Sequence, residues 1–487
     1  MRLPKSNLNR GIFLYVLGNN MLLLGFAFLI SGVVSCIYGE KERLFFLLAS
    51  PVMFMLGAFT AYKNKNFTSQ ISKKDGRLIV GLMWLIVPLL GALPYMFTLG
   101  KFSFVNSLFE SYSGYTTTGA SIIGNIASVP KGLLFYRSLT QWIGGLGFAM
   151  LVIIFVRNFP DGSKNLFNAE FNSIEKEKER PHIKSTVYRI FGIYTAFTIL
   201  CCTLLTLGEM NFFEAICHSF STISTGGFSV SDGNIGTYSD YSQIVIMVFM
   251  FLSGISYFLL IWFVRGKWRR VFHDEQLRMY CLMTLAFGIG FSLYFLSRSN
   301  MDFLQSVKTS FFYVASTLSS TGFDLKARNL GIFVSAGLVL LMFIGGCSAS
   351  SSTGLKIIRA VILLKYIPVA MKRVFHPRAI IPVRYNNKAL RDSSVSLVFG
   401  FFFLFFVIFL FGVIGLTMAG NDFTHAFALS AASISNIGPV MGSLADGFSY
   451  NDLTSLSKYL IITLMLIGRL EIYAFFAILS PSVWSKR

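Results

Sequence analysis

Residues 107–121 read SLFESYSGYTTTGAS, and three later stretches repeat the pattern: EAICHSFSTISTGGFS at 214–229, KTSFFYVASTLSSTGFD at 308–324 and HAFALSAASISNIGPV at 425–440. Aligned on Gly119, Gly226, Gly322 and Gly438, they carry Thr118, Thr225, Thr321 and Ile437 one place before the glycine. Two places before it stand Thr117, Ser224, Ser320 and Asn436, and five places before it Gly114, Ser221, Thr317 and Ser433, all small. One Ser-Thr-Gly beside an apolar run reads as a turn or a helix cap. Four aligned copies, 107, 96 and 116 residues apart, read as one internal repeat.

Long apolar runs flank every copy. They lie near 11–37, 43–62, 78–98, 133–156, 187–207, 242–264, 279–297, 332–366, 395–418 and 457–479, each long enough to cross a hydrocarbon core of about 30 Å as a helix. The unit is therefore span, short apolar segment, span. The expected divisions are two leading spans at 1–70 and four units at 71–160, 161–270, 271–375 and 376–487. Composition agrees: 54% of the chain is apolar, 13% is charged and 52 residues are phenylalanine. A soluble fold has no interior large enough for that surface, whereas lipid accepts it. The first run follows Arg2, Lys5 and Arg10 but exceeds a cleavable signal core and lacks an Ala-x-Ala site, so it reads as a retained span. Five His and six Cys are scattered without metal-ligand spacing.

The net charge of +20 has a topological origin. With both termini cytoplasmic, inner segments hold 31 of the 42 Lys and Arg and outer segments ten, Arg469 lying within the last span. Subtracting 9 inner and 12 outer acids leaves about +22 inside and about −2 outside. Nucleic acid is not needed to explain the excess. The basic face suits anionic membrane lipids or an acidic cytoplasmic partner.

About a dozen residues at about 1.5 Å each reach half the bilayer as a helix. Such a segment must end inside the membrane and return as irregular backbone, which survives there only where it is enclosed by protein or lines water. Glycine permits the backbone angles that turn successive carbonyls toward one axis. Four such loops make a ring of oxygens able to replace a cation's hydration shell. The expected fold is thus an all-α integral membrane protein, with four membrane–pore–membrane repeats in pseudo-fourfold arrangement around a central pore.

These segments resemble those of the Trk/Ktr/HKT superfamily of K⁺ transporters over nearly the whole chain, with one filter glycine per loop; the two leading spans resemble the Trk branch more than the Ktr branch. Asn436-Ile437-Gly438-Pro439 departs from the other three loops by lacking their threonine. The resemblance implies K⁺ uptake across the bacterial inner membrane through a homodimer with one pore per subunit. It further implies a cytosolic TrkA-like nucleotide-binding regulator, nucleotide acting only through that subunit, and K⁺ as the only metal, held by the filter residues at 117–119, 224–226, 320–322 and 436–438.

The eighth run would span about 52 Å as one helix, and its middle, Gly345-Gly346-Cys347-Ser348-Ala349-Ser350-Ser351-Ser352-Thr353-Gly354, disfavours helix. Two readings stand: a small-residue packing face, or a break that places a loop below the filter. The sequence shows a break in this span alone. Arg469 is read as the only basic residue in mid-span, needing an interior partner, and Glu471 two places on points elsewhere. Arg469 is either a structural tie or a charge beside the ion path. The resemblance implies that the 345–354 segment is the gate and that the arginine opposes the ion.

Glu110 and Glu214 read as outer acids that attract cations or as exposed loop acids, and His218 and His425 as hydrogen-bonded structural histidines. The runs 161–184 and 365–391 read as solvated loops or docking surfaces. A solute transporter built on inverted repeats would need units of alternating orientation; these share one. No intramembrane His/Asp/Glu cluster or Ser-His pair suggests an enzyme. A passive channel and an ion-coupled symporter both suit these residues.

Overall fold

The structure, a computed structural model, describes residues 10–65, 73–100, 103–155, 183–299, 301–325, 330–379, 381–438, 449–470 and 472–479. Glu471, Pro439, Val440 and the charged run at 175–180 lie outside them. Two helices, α1 (Arg10–Ile37) and α2 (Arg43–Lys63), form a leading hairpin. Gly18, Gly25 and Gly32 recur every seven residues on α1, and a Cβ on Gly18 would collide with Thr60 and Ala61 of α2. Small residues thus let the two backbones approach closely, which van der Waals packing in lipid requires.

Four units follow. Their first helices are α3 with α4 (Lys73–Gly91, Leu93–Thr98), α8 (Ile183–Leu207), α13 (Glu275–Arg298) and α17 (Asp392–Met418). Together with the hairpin these supply the six helices that, among the described residues, are long and apolar enough to cross a membrane unbroken. Their short helices are α5 (Phe104–Tyr115), α9 (Phe212–Ile223), α14 (Phe303–Leu318) and α18 (Phe423–Ile434). Each short helix starts after a polar residue in extended conformation: Ser103, Asn211, Asp302 and Asp422. Asn211 and Glu214 form a capping box, so Glu214 is a helix-start residue rather than a free outer acid.

The second helix is broken in the first three units, as α6/α7 (Lys131–Leu146, Phe148–Phe155), α10/α11 (Asp240–Ser253, Tyr257–Val264) and α15/α16 (Gly331–Ile344, Ile357–Phe375); in the fourth, α19 (Ser455–Leu470) and α20 (Ile472–Leu479) lie on either side of Glu471. The expectation of a single break is therefore corrected. Gly147 takes a positive φ of 84° between α6 and α7, and α10 and α11 meet at 99°. The leading hairpin docks on the first unit through Glu40, whose carboxylate accepts the Lys131 and Gly132 amides at the start of α6, an anion at a helix N-terminus. Helix α12 (Trp268–Phe272) and a two-stranded hairpin, β1 (Arg384–Tyr385) with β2 (Lys388–Ala389), complete the described elements used here.

Candidate ion pathway

The four short helices all end on a right-handed cap residue, Thr116, Ser224, Ser319 and Ser435. The next residue has a positive φ in each: Thr117 (56°), Thr225 (54°), Ser320 (59°) and Asn436 (50°). One residue further on, the amides of Thr118, Gly226, Thr321 and Ile437 donate to Ser113, Ser221, Ser316 and Ala432, five residues back. Positive φ returns at Gly119, Gly227 and Gly322.

This common geometry corrects the sequence alignment at one loop. The second loop is Thr225-Gly226-Gly227, Ser224 being its helix cap, and Gly227 rather than Gly226 occupies the glycine position. The other three loops keep their alignment as 117–119, 320–322 and 436–438.

The reason for glycine lies in the neighbouring loop. A Cβ on Gly119 would strike the carbonyl oxygen of Gly226; one on Gly227 would strike that of Thr321; one on Gly438 would meet that of Thr118. Each glycine thus faces the carbonyl just before the glycine of the adjoining loop. Three successive junctions, fourth loop to first, first to second and second to third, repeat this contact. Side chains stitch the same ring. Asn436 Nδ2 donates to Thr118 Oγ1 at 2.9 Å and to the Met465 carbonyl at 2.8 Å, so the loop lacking threonine is tied to its neighbour by an amide instead. Thr118 pairs with Thr116 at 2.8 Å and Thr321 with Ser319 at 2.6 Å. Four helix C-termini end at this ring, bringing partial negative charge to it.

Beneath the ring lies the 345–354 segment, a buried loop between α15 and α16. The Thr353 amide donates to Ser320 Oγ at 2.9 Å, and its hydroxyl donates to the Ser435 carbonyl at 2.5 Å. The Ser348 amide donates to Gln276 Oε1 at 2.9 Å, the Cys347 amide to the Gly254 carbonyl at 2.9 Å, and Ser350 and Ser352 pair at 2.6 Å. Gly345 and Gly354 turn the chain with φ of 68° and 92°; a Cβ on Gly346 would meet Ser352. A hydroxylated run at this depth is stable because its polar groups find partners.

Arg469, near the end of α19, reaches this loop. It donates to the Ser351 carbonyl at 2.9 Å and to those of Gly144 and Gly145 at 2.5 and 3.2 Å. Gly144 and Gly145 sit where α6 stops, so the break frees carbonyls there. One guanidinium on the fourth unit's second helix therefore reaches the breaks in those of the first and third. It also lies 5.3 Å from the Trp84 ring.

Arg469 is half-buried, and it is not the only cation that these helices carry inward. Arg137 on α6, Arg359 on α16 and Lys458 on α19 are buried; Arg359 stacks on Phe401 at 3.8 Å. Arg137 Nε lies 3.2 Å from Glu110 Oε2, and the pair is enclosed. Glu110 Oε1 also accepts from Ser121 Oγ at 2.8 Å and from the Ile122 amide at 2.5 Å. Arg137 donates to the Ser229 carbonyl at 3.1 Å. Both readings of Glu110 as an outer acid are thus overturned: it ties the chain leaving the first loop to the chain leaving the second. His218 is held by the Glu214 carbonyl at 2.8 Å and Ser229 Oγ at 3.1 Å. Replacing Arg137 with methionine strands the buried carboxylate and is expected to cost about 3–5 kcal/mol, read as a lower melting temperature in detergent. Glu110→Gln together with Arg137→Met should cost less than Arg137→Met alone; a single variant that melts like the parent would contradict the tie.

Residues 45–486 match the family described as TrkH, cation transport protein. The chain is 31% identical to the Trk system potassium uptake protein TrkH of Escherichia coli K12, over 97% of this chain and 98% of that one. It is 30% identical to TrkH of Halomonas elongata, over 98% and 99%. The crystal structure of the potassium transporter TrkH from Vibrio parahaemolyticus superposes with a TM-score of 0.88 at 28% identity, covering 98% of this chain and all of that one. With four repeats closing loops around one ring, and a family match over almost its full length, the chain belongs to the TrkH family of cation transport proteins.

Proposed function

We propose that this protein takes K⁺ into the cell through the ring formed by Thr117–Gly119, Thr225–Gly227, Ser320–Gly322 and Asn436–Gly438. The observation that carries this reading is the repeated junction, in which the glycines of the first, second and fourth loops each admit a carbonyl of the next loop. Backbone packed this closely around an axis supplies a row of fixed oxygens at membrane depth. An unpaired charge in apolar surroundings costs tens of kcal/mol by Born estimates, and carbonyls that replace its water remove most of that cost. The potassium uptake named for the relatives agrees with such a site.

The 345–354 loop is the gate of this pathway, and Arg469 adds an opposing positive charge that its three carbonyl partners hold in place. The pore works in the bacterial inner membrane with both termini cytoplasmic, a placement supported by the charge asymmetry. It acts as a homodimer, one pore per subunit, and a TrkA-like nucleotide-binding regulator docks on the basic inner surface. The words "Trk system" in the relatives' names support a multi-component assembly. Purified protein in liposomes is expected to pass K⁺ well ahead of Na⁺. Equal fluxes of the two would overturn the reading, and arms with and without a proton or Na⁺ gradient separate a symporter from a channel.

A further inference from the structure

The second loop differs from its three counterparts at one position. Where the others carry the buried side chains of Thr118, Thr321 and Ile437, it carries Gly226. The vacant volume is filled from another element. Gln141, buried on α6, lies where a Cβ on Gly226 would go: its amide nitrogen is 2.8 Å from that point and its amide carbon and oxygen are as close or closer. Its Nε2 donates to the Gly226 carbonyl at 2.6 Å, and its Oε1 accepts the Phe228 amide at 3.1 Å. The Gly226 carbonyl is also the oxygen that Gly119 faces in the first loop. Gln141 therefore brackets the second loop on both sides of Gly227 and fixes a carbonyl at the junction with the first.

In the fourth unit, Gly468 contacts the last short-helix carbonyls as Gly144 does in the first. Three residues before Gly468 stands Met465, as Gln141 stands three before Gly144. The fourth unit thus has no counterpart of this amide, which belongs to the unit whose second helix faces the loop lacking a side chain.

We infer that Gln141 is a specificity-determining residue of the K⁺ pathway: its side-chain amide replaces the missing threonine of the second loop and sets the position of the Gly226 carbonyl. The inference rests on the ring being the selectivity filter. Gly226 and Gln141 then form a matched pair, glycine being required at 226 only because glutamine stands at 141.

The test compares K⁺ and Na⁺ fluxes of full-length protein in liposomes at equal folded amounts. Gln141→Leu keeps the bulk but loses both hydrogen bonds, and the K⁺/Na⁺ ratio is expected to fall about tenfold. Gln141→Glu keeps the acceptor for Phe228 and loses the donor to Gly226; it should show a fall of the same kind and carries the test if the leucine variant cannot be purified. Gly226→Thr alone should lower the ratio by at least as much, and adding Gln141→Ala should restore it to within about threefold of the parent. Gly322→Ser, in a loop that Gln141 does not touch, serves as the reference. Parental ratios in both Gln141 variants beside a low ratio in Gly322→Ser would overturn the assignment of Gln141 while leaving the filter standing. The same holds if Gln141→Ala fails to rescue Gly226→Thr. A parental ratio in Gly322→Ser as well would overturn the filter and this inference together.

Discussion

Gly227→Ser is expected to damage ion selection far more than Gly226→Ser. Position 227 has a φ of 77°, a left-handed conformation that costs a residue with a Cβ about 1–2 kcal/mol. The added Cβ also points at the Thr321 carbonyl oxygen, which is backbone and cannot swing away. The loop must therefore shift, and the junction with the third loop opens. A total of about 2–3 kcal/mol would lower the K⁺/Na⁺ flux ratio by a factor of about 30–150. Gly119→Ser, with a φ of 80° against the Gly226 carbonyl, should behave alike. At Gly226 the obstacle is only the Gln141 side chain, which can yield, so a fall of about tenfold is expected there. The order of the two adjacent variants reads the register directly. If Gly226→Ser proved the more damaging, the second loop would follow Ser224-Thr225-Gly226 instead.

Arg469→Ala is expected to raise flux and to lower stability at once. At an effective dielectric of about 20, like unit charges about 10 Å apart repel by roughly 1.7 kcal/mol. Removing an opposing charge of that order should raise flux per folded molecule by about 15-fold. The same change leaves the Ser351, Gly144 and Gly145 carbonyls without this donor, at about 1–3 kcal/mol for each group left unsatisfied, so the melting temperature should fall. Arg469→Lys keeps the charge but not the planar fork that reaches two broken helices at once. It should retain low flux while losing stability. Shortening the 345–354 loop should raise flux as well. Combined with Arg469→Ala it should be strongly non-additive, because loop and arginine touch and bar the same path. A stable alanine variant with parental flux would contradict both roles.

Much of the architecture is legible in the sequence because the repeat is written four times. The ten apolar runs, the two leading helices and the four short segments all follow from length and pattern. The register of the second loop is not, since Ser224-Thr225-Gly226 imitates Thr117-Thr118-Gly119 and two glycines stand side by side. A better ruler is present in the chain: each short helix opens with a polar cap followed by phenylalanine, at Ser103-Phe104, Asn211-Phe212, Asp302-Phe303 and Asp422-Phe423. From cap to glycine the count is 16 for Gly119, Gly227 and Gly438, and 20 for Gly322. The extra four residues are one more helical turn, α14 having 16 residues where the others have 12.

The breaks near Gly147 and Gly254 are hidden for another reason. A few small or polar residues in an apolar run do not lower its hydropathy, and the carbonyls they free are satisfied by residues far away in the chain. Arg469 and Gly144 are 325 residues apart. Glu110 reads as an outer acid because it lies in a short segment between spans, and only the return of the chain past it and Arg137 encloses the pair.

The claim that these four loops select the ion is tested most directly by locating the ion. Crystals grown with Tl⁺ or Rb⁺ in place of K⁺ should give anomalous peaks on the axis of the ring, level with Thr117–Gly119, Thr225–Gly227, Ser320–Gly322 and Asn436–Gly438, and those peaks should vanish in Gly119→Ser. Protein that transports the same ion but places it elsewhere, with no peak inside the ring, would contradict the account.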